Sequence, residues 1–210
     1  MPVRGVKQEG ALVGFHPPRL PPCEWYNRAM MISTKYTHAD LLAMPDDGKR
    51  REIIEGELFV TPSPASNHQR ILLNLAWAFR EYLKVHSVGE LLIAPLDVIL
   101  SEYDVLEPDL LFVLKEHQTI VRDWVRGAPD LVVEILSPTT EARDRGPKMK
   151  AYARFGVGEH WIVDPVAQAI EVYRLAAGGF QLAQTCAEDE PLETPLLPGF
   201  LLPVGSLFQF

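Results

Sequence analysis

The stretch from Leu131 to Leu136 constrains the fold more than any other part of this 210-residue sequence. It reads Leu-Val-Val-Glu-Ile-Leu, is entered through Gly127-Ala128-Pro129 and ends before Ser137-Pro138. Its apolar residues fall on both faces of an extended chain, as in a strand that is covered on both sides. Such a strand belongs inside a layered α/β domain, and a hydrophobic content of 47% is enough for one full core.

The segments around this strand alternate between helical and extended patterns. Apolar residues, among them Leu75, recur at helical spacing from Asn67 to Val85. A short helix capped by Thr37 and a helix that ends at Gly156 are also predicted. The predicted extended segments are Arg51–Thr61 (a hairpin or bent strand), Leu91–Leu100, Glu107–Leu114, Leu131–Leu136, His160–Val163, Ala169–Arg174 and Phe180–Thr185. This order predicts one α/β domain over residues 35–210.

Residues 1–34 lack this patterning. They are rich in proline and hold no continuous apolar core of the secretory type, so we expect a disordered leader, or residues upstream of a true translation start at Met30 or Met31. The two cysteines, Cys23 and Cys186, indicate neither a disulfide framework nor a cysteine metal site. No apolar run approaches the roughly 20 residues of a membrane-spanning helix. We therefore expect a cytoplasmic protein that does not enter a membrane.

The charge pattern limits the possible partners. A net charge of -8 argues against a nonspecific DNA-coating protein, because phosphate contacts rely on clustered Lys and Arg. A local basic patch remains possible, since five basic residues between Arg143 and Arg154 face the single acid Asp144. A solvated helix face is the alternative interpretation of this window.

Glu134 is the most informative residue for function, because it interrupts an otherwise apolar strand. A buried carboxylate needs a cation, a hydrogen-bonding partner or a metal, so a buried salt bridge is the alternative to a functional role. Asp109 opens a second strand-like run directly after Pro108, where it could also serve as a turn residue. The two acids lie 25 positions apart, enough for neighbouring strands. Converging carboxylates bind hard cations such as Mg²⁺.

At this point the sequence resembles the PD-(D/E)XK nucleases, and within them the Uma-two family of restriction-endonuclease-like proteins. The superfamily pattern is an Asp after Pro and a second acid followed two residues later by Lys, a place that Leu136 takes here. The Uma-two branch shares this departure and takes its lysine from the following helix. The matching blocks are Arg51–Leu58, His68-Gln69, Pro108-Asp109, Pro129–Pro138, Asp144–Lys148, Tyr152–Val157, Trp161–Pro165 and Leu197–Phe200.

The resemblance implies a restriction-endonuclease-like α/β fold, with a central mixed β-sheet flanked by helices and extra N-terminal strands. It implies that Asp109, Glu134 and the carbonyl of Ile135 hold Mg²⁺, with Mn²⁺ as a possible substitute. It also implies that Lys148 acts on the attacking water or the scissile phosphate, as a metal-bound water and a nearby cation would require. DNA is the implied substrate, and cutting both strands favours a homodimer.

Other residues have weaker assignments. Glu52 is a candidate third catalytic carboxylate, with an exposed strand Glu as the alternative. His68 is a candidate base, although a cap or packing role fits a first-turn histidine as well. Asp144 and Lys148 are spaced to form a surface ion pair, and Pro147 favours a helix start at that point. Tyr152 is expected to pack beneath the site, and Trp161 in the core.

Three functions are compatible with these residues. The first is a Mg²⁺-dependent endonuclease acting on DNA, supported by Asp109, Glu134 and Lys148. The second is a catalytically degenerate nuclease-fold module that binds or assembles, which Leu136, Pro147 and the acidic net charge would permit. The third, a metal-dependent phosphoesterase for small substrates, lacks a Gly-rich phosphate loop to support it. Fold alone does not decide among them.

Overall fold

The computed structural model describes Met1, residues 35–188 and residues 190–210. The expected leader, apart from Met1, lies outside the described residues, so its disorder stays a prediction. The helices are α1 (His38–Ala43), α2 (Ser66–Leu83), α3 (Glu141–Arg143) and α4 (Met149–Phe155), with 3₁₀ turns at Lys115–Ile120 and Val204–Phe208 and a π turn at Asp144–Lys148. The strands are β1 (Arg50–Ile54), β2 (Glu57–Thr61), β3 (Gly89–Ile93), β4 (Val98–Ser101), β5 (Asp104–Leu106), β6 (Leu110–Leu114), β7 (Val125–Arg126), β8 (Leu131–Ile135), β9 (Glu159–Asp164), β10 (Ala169–Ala176), β11 (Gly179–Ala187), β12 (Pro191–Leu192) and β13 (Leu202–Pro203).

The larger sheet has six strands in the order β11-β10-β9-β8-β6-β3. Only β8 and β9 run parallel, so the sheet is mixed, as the sequence predicted. The strand β8 lies inside the sheet, and all five of its residues are buried. Its interior position explains the continuous apolar run from which it was predicted.

Helices cover both faces of this sheet. Leu75 and Phe79 of α2 join one core cluster with Leu131 and Val133. Ala151 and Tyr152 of α4 join another core cluster with Val132, on the other side of β8. Because strand side chains alternate, Glu134 belongs to the face of Val132 and points toward α4 and the π turn.

A second sheet brings in the N-terminal strands, in the order β2-β1-β5-β4-β7. The expected hairpin around Glu55-Gly56 is confirmed. Strands β1 and β2 pair antiparallel, with Arg50 opposite Thr61 at one end and Ile54 opposite Glu57 at the other. This sheet supplies Glu52, which is 1% exposed. The alternative of an exposed strand glutamate is therefore wrong.

Two predicted elements are broken in the structure. The single strand expected over Leu91–Leu100 is two strands, β3 and β4, which belong to different sheets. Pro95 lies between them and has no N–H to donate to a strand ladder, so the pairing stops there. The helix expected before Gly156 is divided into α3, the π turn and α4. Pro147 lies inside the π turn rather than at a helix start.

The expected core residues are confirmed, since Leu75 and Trp161 are both fully buried. Gly156 adopts φ 91° as the left-handed C-cap of α4, as predicted. Within residues 35–188 and 190–210, none of the helices combines the length and apolarity needed to cross a membrane.

Candidate active site

One pocket, of about 330 Å³, collects every residue that the sequence assigned to the site. It is lined by Asp109, Glu134, Ile135, Lys148 and Glu52, and also by His68. The acids come from both halves of the fold, because β1 carries Glu52 whereas Glu134 lies on β8 and Asp109 lies directly before β6 of the larger sheet. Sequence spacing predicted that Asp109 and Glu134 would meet, and the pairing of β6 with β8 brings them into one pocket.

Asp109 is held in place through one of its two oxygens. Its Oδ2 accepts a hydrogen bond from the main-chain N–H of Ile135 at 2.9 Å and lies 3.0 Å from His68 Nε2. Its Oδ1 accepts no hydrogen bond from the described residues and lies 3.8 Å from an Arg50 nitrogen. Burial acts to raise the pKa of Asp109. The hydrogen bond and charge of His68 and the hydrogen bond from the Ile135 N–H outweigh burial and hold the pKa below its ordinary value. The fold therefore keeps this carboxylate ionised.

Glu134 is likewise held through a single oxygen. Its Oε1 accepts a hydrogen bond from the Tyr152 hydroxyl at 2.6 Å and lies 2.6 Å from Lys148 Nζ. Its Oε2 accepts no hydrogen bond from any side chain or main chain that the structure describes. Burial raises the pKa of Glu134 well above its ordinary value, and the neighbouring acids raise it further. The charge of Lys148 lowers the pKa but does not outweigh these effects. The hydroxyl of Tyr152 thus contacts the site, whereas the sequence predicted only packing beneath it.

Lys148 lies among three carboxylates with its side chain 3% exposed. Its Nζ is 2.6 Å from Glu134, 2.9 Å from Glu52 and 3.7 Å from Asp144. Burial acts to lower the pKa of Lys148, but these acids outweigh it and raise the pKa above its usual range. The alternative interpretation of Asp144 and Lys148 as a surface ion pair is therefore wrong, because both residues are 2% exposed. The π turn directs them inward.

Glu52 uses both of its oxygens. Oε1 accepts the Glu107 N–H at 2.9 Å and lies 2.9 Å from Lys148 Nζ. Oε2 lies 3.3 Å from an Arg143 nitrogen and 3.4 Å from the Thr61 hydroxyl. Burial acts to raise the pKa of Glu52, but Lys148 and Arg143 hold it below its ordinary value. Glu52 is thus an ionised partner for two cations.

The pocket carries an excess of negative charge. Its permanent cations are Arg50, Arg143 and Lys148, and its carboxylates are Glu52, Glu107, Asp109, Glu134 and Asp144. Five acids against three cations leave two uncompensated negative charges when all are ionised, before any charge on His68 is counted. Burial and neighbouring acids also raise the pKa of Glu107 and of Asp144. A bound cation would relieve this repulsion.

The sequence-based assignment of the site did not include Arg50 or Glu107. Arg50 Nε lies 2.8 Å from Glu107 Oε2, and a second Arg50 nitrogen donates to the Glu107 carbonyl at 3.0 Å. The proximity of Glu107 to Pro108-Asp109 could have indicated it. Arg50 has no such signal, because its partners lie 57 and 59 positions away in the chain.

The basic window of Arg143–Arg154 does not form an open patch. Arg143 pairs with Glu52, Arg145 with Glu171 at 2.7 Å, and Arg154 with Asp104 at 2.7 Å. This window is neither a free basic patch nor a solvated helix face, because most of its basic side chains pair with specific acids. Lys150 is the exposed exception.

The residues present fit a hard divalent cation. In the described part of the chain, no group of three or more His, Cys, Asp or Glu side chains is arranged to hold a metal ion. Mg²⁺, however, keeps several waters and is often held by one or two carboxylates. Asp109 and Glu134 each have one oxygen free of described hydrogen bonds. The Ile135 carbonyl lies on the same side of β8 as its N–H, which bonds Asp109, because both groups of a strand residue point the same way.

A mixed sheet with one acid on β8, a second directly before the neighbouring strand β6 and a buried lysine from the following helical segment defines the restriction-endonuclease-like fold class. Residues 38–205 match the family Uma2 (Uma-two above), which is described as "Putative restriction endonuclease". Because this match covers most of the chain, the protein belongs to the Uma2 family. The sequence-based assignment to this family is confirmed.

A solved structure supports the same fold. The chain resembles a "putative nuclease belonging to DUF820" from Anabaena variabilis with a TM-score of 0.69 and 21% sequence identity. The similarity covers 82% of this chain and 97% of the other. At this identity the likeness shows the fold alone. No curated protein matches the chain.

Proposed function

We propose that this protein is a Mg²⁺-dependent endonuclease that hydrolyses phosphodiester bonds of DNA. The observation that carries the proposal is the shared arrangement of Asp109 and Glu134. Each uses one oxygen for protein donors and leaves the other without a described hydrogen bond, in one pocket. Two such oxygens and the Ile135 carbonyl would supply hard ligands to one divalent cation, for which Mn²⁺ would be a substitute.

The bound cation would supply Lewis acidity and a water of lowered pKa. The protein's own residues would hold and polarise the remaining groups. His68 and the Ile135 N–H fix the orientation of Asp109, and Tyr152 fixes that of Glu134. Lys148 would stabilise negative charge that develops on the phosphate, because its buried ammonium remains protonated at neutral pH.

The substrate and the assembly follow from the family assignment and from the chemistry of duplex cleavage. We propose that DNA enters the pocket, because phosphate oxygens would complete the coordination of the cation. Two strands require two sites, so we propose a homodimer with two-fold symmetry. The scarcity of cysteine fits a reducing cytoplasm, which we propose as its location.

One observation favours a second candidate, a degenerate nuclease-fold module that binds without cutting. Lys148 and His68 already contact the two acids, so protein groups alone supply a partner to one oxygen of each acid. In that case Glu134 and Lys148 would be a structural ion pair. The following experiment separates the two functions.

Purified protein is incubated with supercoiled plasmid and with linear DNA in the presence of Mg²⁺, Mn²⁺ or EDTA. We expect nicking or linearisation with Mg²⁺ or Mn²⁺ and none with EDTA. Asp109→Asn and Glu134→Gln should each abolish cleavage and weaken Mn²⁺ binding in calorimetry, because each removes a ligand. Cleavage that persists in EDTA, or metal binding without any cleavage, would contradict the proposal.

Glu159→Gln is the matched control. Glu159 is a buried carboxylate at 3% exposure, held outside the pocket by Trp161, Thr194 and Arg174. Its replacement should lower the melting temperature without changing metal affinity. Equal loss of metal binding in this variant would show that the effects arise from general unfolding.

A further inference from the structure

Lys148 supplies the positive charge at a point where several acids meet. Three carboxylates converge on its Nζ, from Glu134, Glu52 and Asp144. Converging carboxylates are the usual ligands of divalent cations in two-metal sites. Here a single buried ammonium takes their charge.

Both carboxylate oxygens of Glu52 already have protein partners. One oxygen contacts Lys148 and the Glu107 N–H, and the other contacts Arg143 and Thr61. A metal bound to Glu52 would have to compete with these donors for a side chain that is only 2% exposed. Leaving buried donors without a partner is costly, so the structure opposes this exchange.

The net charge of the pocket leads to the same result. When a cation binds and all five carboxylates are ionised, they exceed the three permanent cations by two negative charges, before any charge on His68 is counted. One divalent cation would neutralise this excess, whereas two would leave the buried pocket with two positive charges. Removing the lysine charge would leave three negative charges, and a second cation would then be favoured.

We infer that Lys148 takes the place of a second metal, that the site binds one divalent cation, and that Glu52 is a positioning residue for the ammonium rather than a metal ligand. This inference rests on the proposed function for the single cation on Asp109 and Glu134. It adds the number of cations and the role of Glu52.

The test counts Mn²⁺ ions per chain, by calorimetric titration and by electron paramagnetic resonance of the full-length protein. We expect one Mn²⁺ per chain in the wild type, with the spectrum of an isolated ion. Glu52→Gln should also bind one. Lys148→Met, which keeps an unbranched side chain one atom shorter and removes the charge, should bind two. Lys150→Met changes an exposed lysine two residues away and should bind one.

The outcomes separate this inference from the proposed function. Two Mn²⁺ ions in the wild type, or a spin-coupled spectrum, would overturn the inference and leave the metal-dependent nuclease intact. No Mn²⁺ in the wild type would instead overturn the metal-dependent function itself. A folded Lys148→Met variant that binds only one Mn²⁺ per chain would also contradict the inference. If that variant does not fold, the wild-type count and spectrum decide alone.

Discussion

Asp109 and Glu134 are both buried acids, yet folding affects their ionisation in opposite directions. His68 and Ile135 hold the pKa of Asp109 below its ordinary value, whereas burial raises that of Glu134. Without a cation, we expect Asp109→Asn to lower stability by about 1–3 kcal/mol, because charge-assisted hydrogen bonds are lost. Glu134→Gln should leave the melting temperature unchanged or higher, because it removes a disfavoured charge. Thermal melts in EDTA check both values, and a Glu134→Gln variant that melts lower than Asp109→Asn would contradict this order.

His160 gives the protein a defined sensitivity to acid. Its ring is fully buried, both of its nitrogens lack a hydrogen-bond partner in the described structure, and burial together with the charges of Lys148 and Arg145 lowers its pKa to about 3. The unfolded chain takes up a proton near pH 6.5 and the folded chain does not, so this contribution to stability is complete above pH 6.5 and is lost as the pH falls toward 3.

The slope contributed by one such proton is about 1.4 kcal/mol per pH unit. His160→Phe, measured by urea unfolding between pH 7 and pH 4, should lose that part of the slope. His117, whose side chain is 53% exposed, offers a matched control, and His117→Phe should leave a larger share of the slope in place. Equal slopes in the wild type and His160→Phe would show that His160 is protonated in the folded state.

At the scale of elements, the π turn decides where Lys148 points. Pro147 within it has no N–H and cannot take part in a regular helical ladder. Pro147→Ala would allow an ordinary α-helical turn and would add helix propensity. We therefore expect stability to be kept, while cleavage falls by about 10–100-fold because the ammonium is displaced. Parallel melting curves and cleavage rates test this, and unchanged cleavage would show that the turn does not depend on the proline.

Helix α2 is the scaffold of the larger sheet, and its two faces should respond differently. Leu75 is fully buried, whereas Leu73 on the same helix is 66% exposed. Leu75→Ala should cost about 2–5 kcal/mol through the cavity that it leaves. Leu73→Ala should change stability by less than about 0.5 kcal/mol. Chemical denaturation of the two variants measures the difference, and similar losses would contradict the packing of α2.

For the whole molecule, the testable expectation is a homodimer. Under the proposed function, the site of Asp109 and Glu134 in each chain would cut one strand at a time, so symmetric cleavage of a duplex needs two chains. Sedimentation velocity should give twice the mass of the chain, 23.6 kDa, either in free solution or with DNA. A monomer at every accessible concentration, with and without DNA, would count against this assembly.

The sequence determined the parts of this protein that depend on local pattern. The apolar run of β8, the helical spacing of α2 and the turn at Glu55-Gly56 predicted the central strand, the scaffold helix and the first hairpin. Glu134 and Asp109 stood out because an acid within or beside an apolar strand needs a cation, a hydrogen-bonding partner or a metal when it is buried. Resemblance to a family supplied Lys148, which no local pattern distinguishes from a surface lysine.

Only the tertiary structure decided how these groups are paired. Most of these contacts join segments that are far apart in the chain. They bury Asp144 and Lys148, surround Glu52 with four partners and bring Arg50 to the site. When two side chains are separated by tens of residues in the chain, strand order and the local turns decide whether they meet. Short-range periodicity encodes neither of these. The split of Leu91–Leu100 between two sheets has the same origin, because Pro95 ended one ladder but could not specify which sheet the next strand would join.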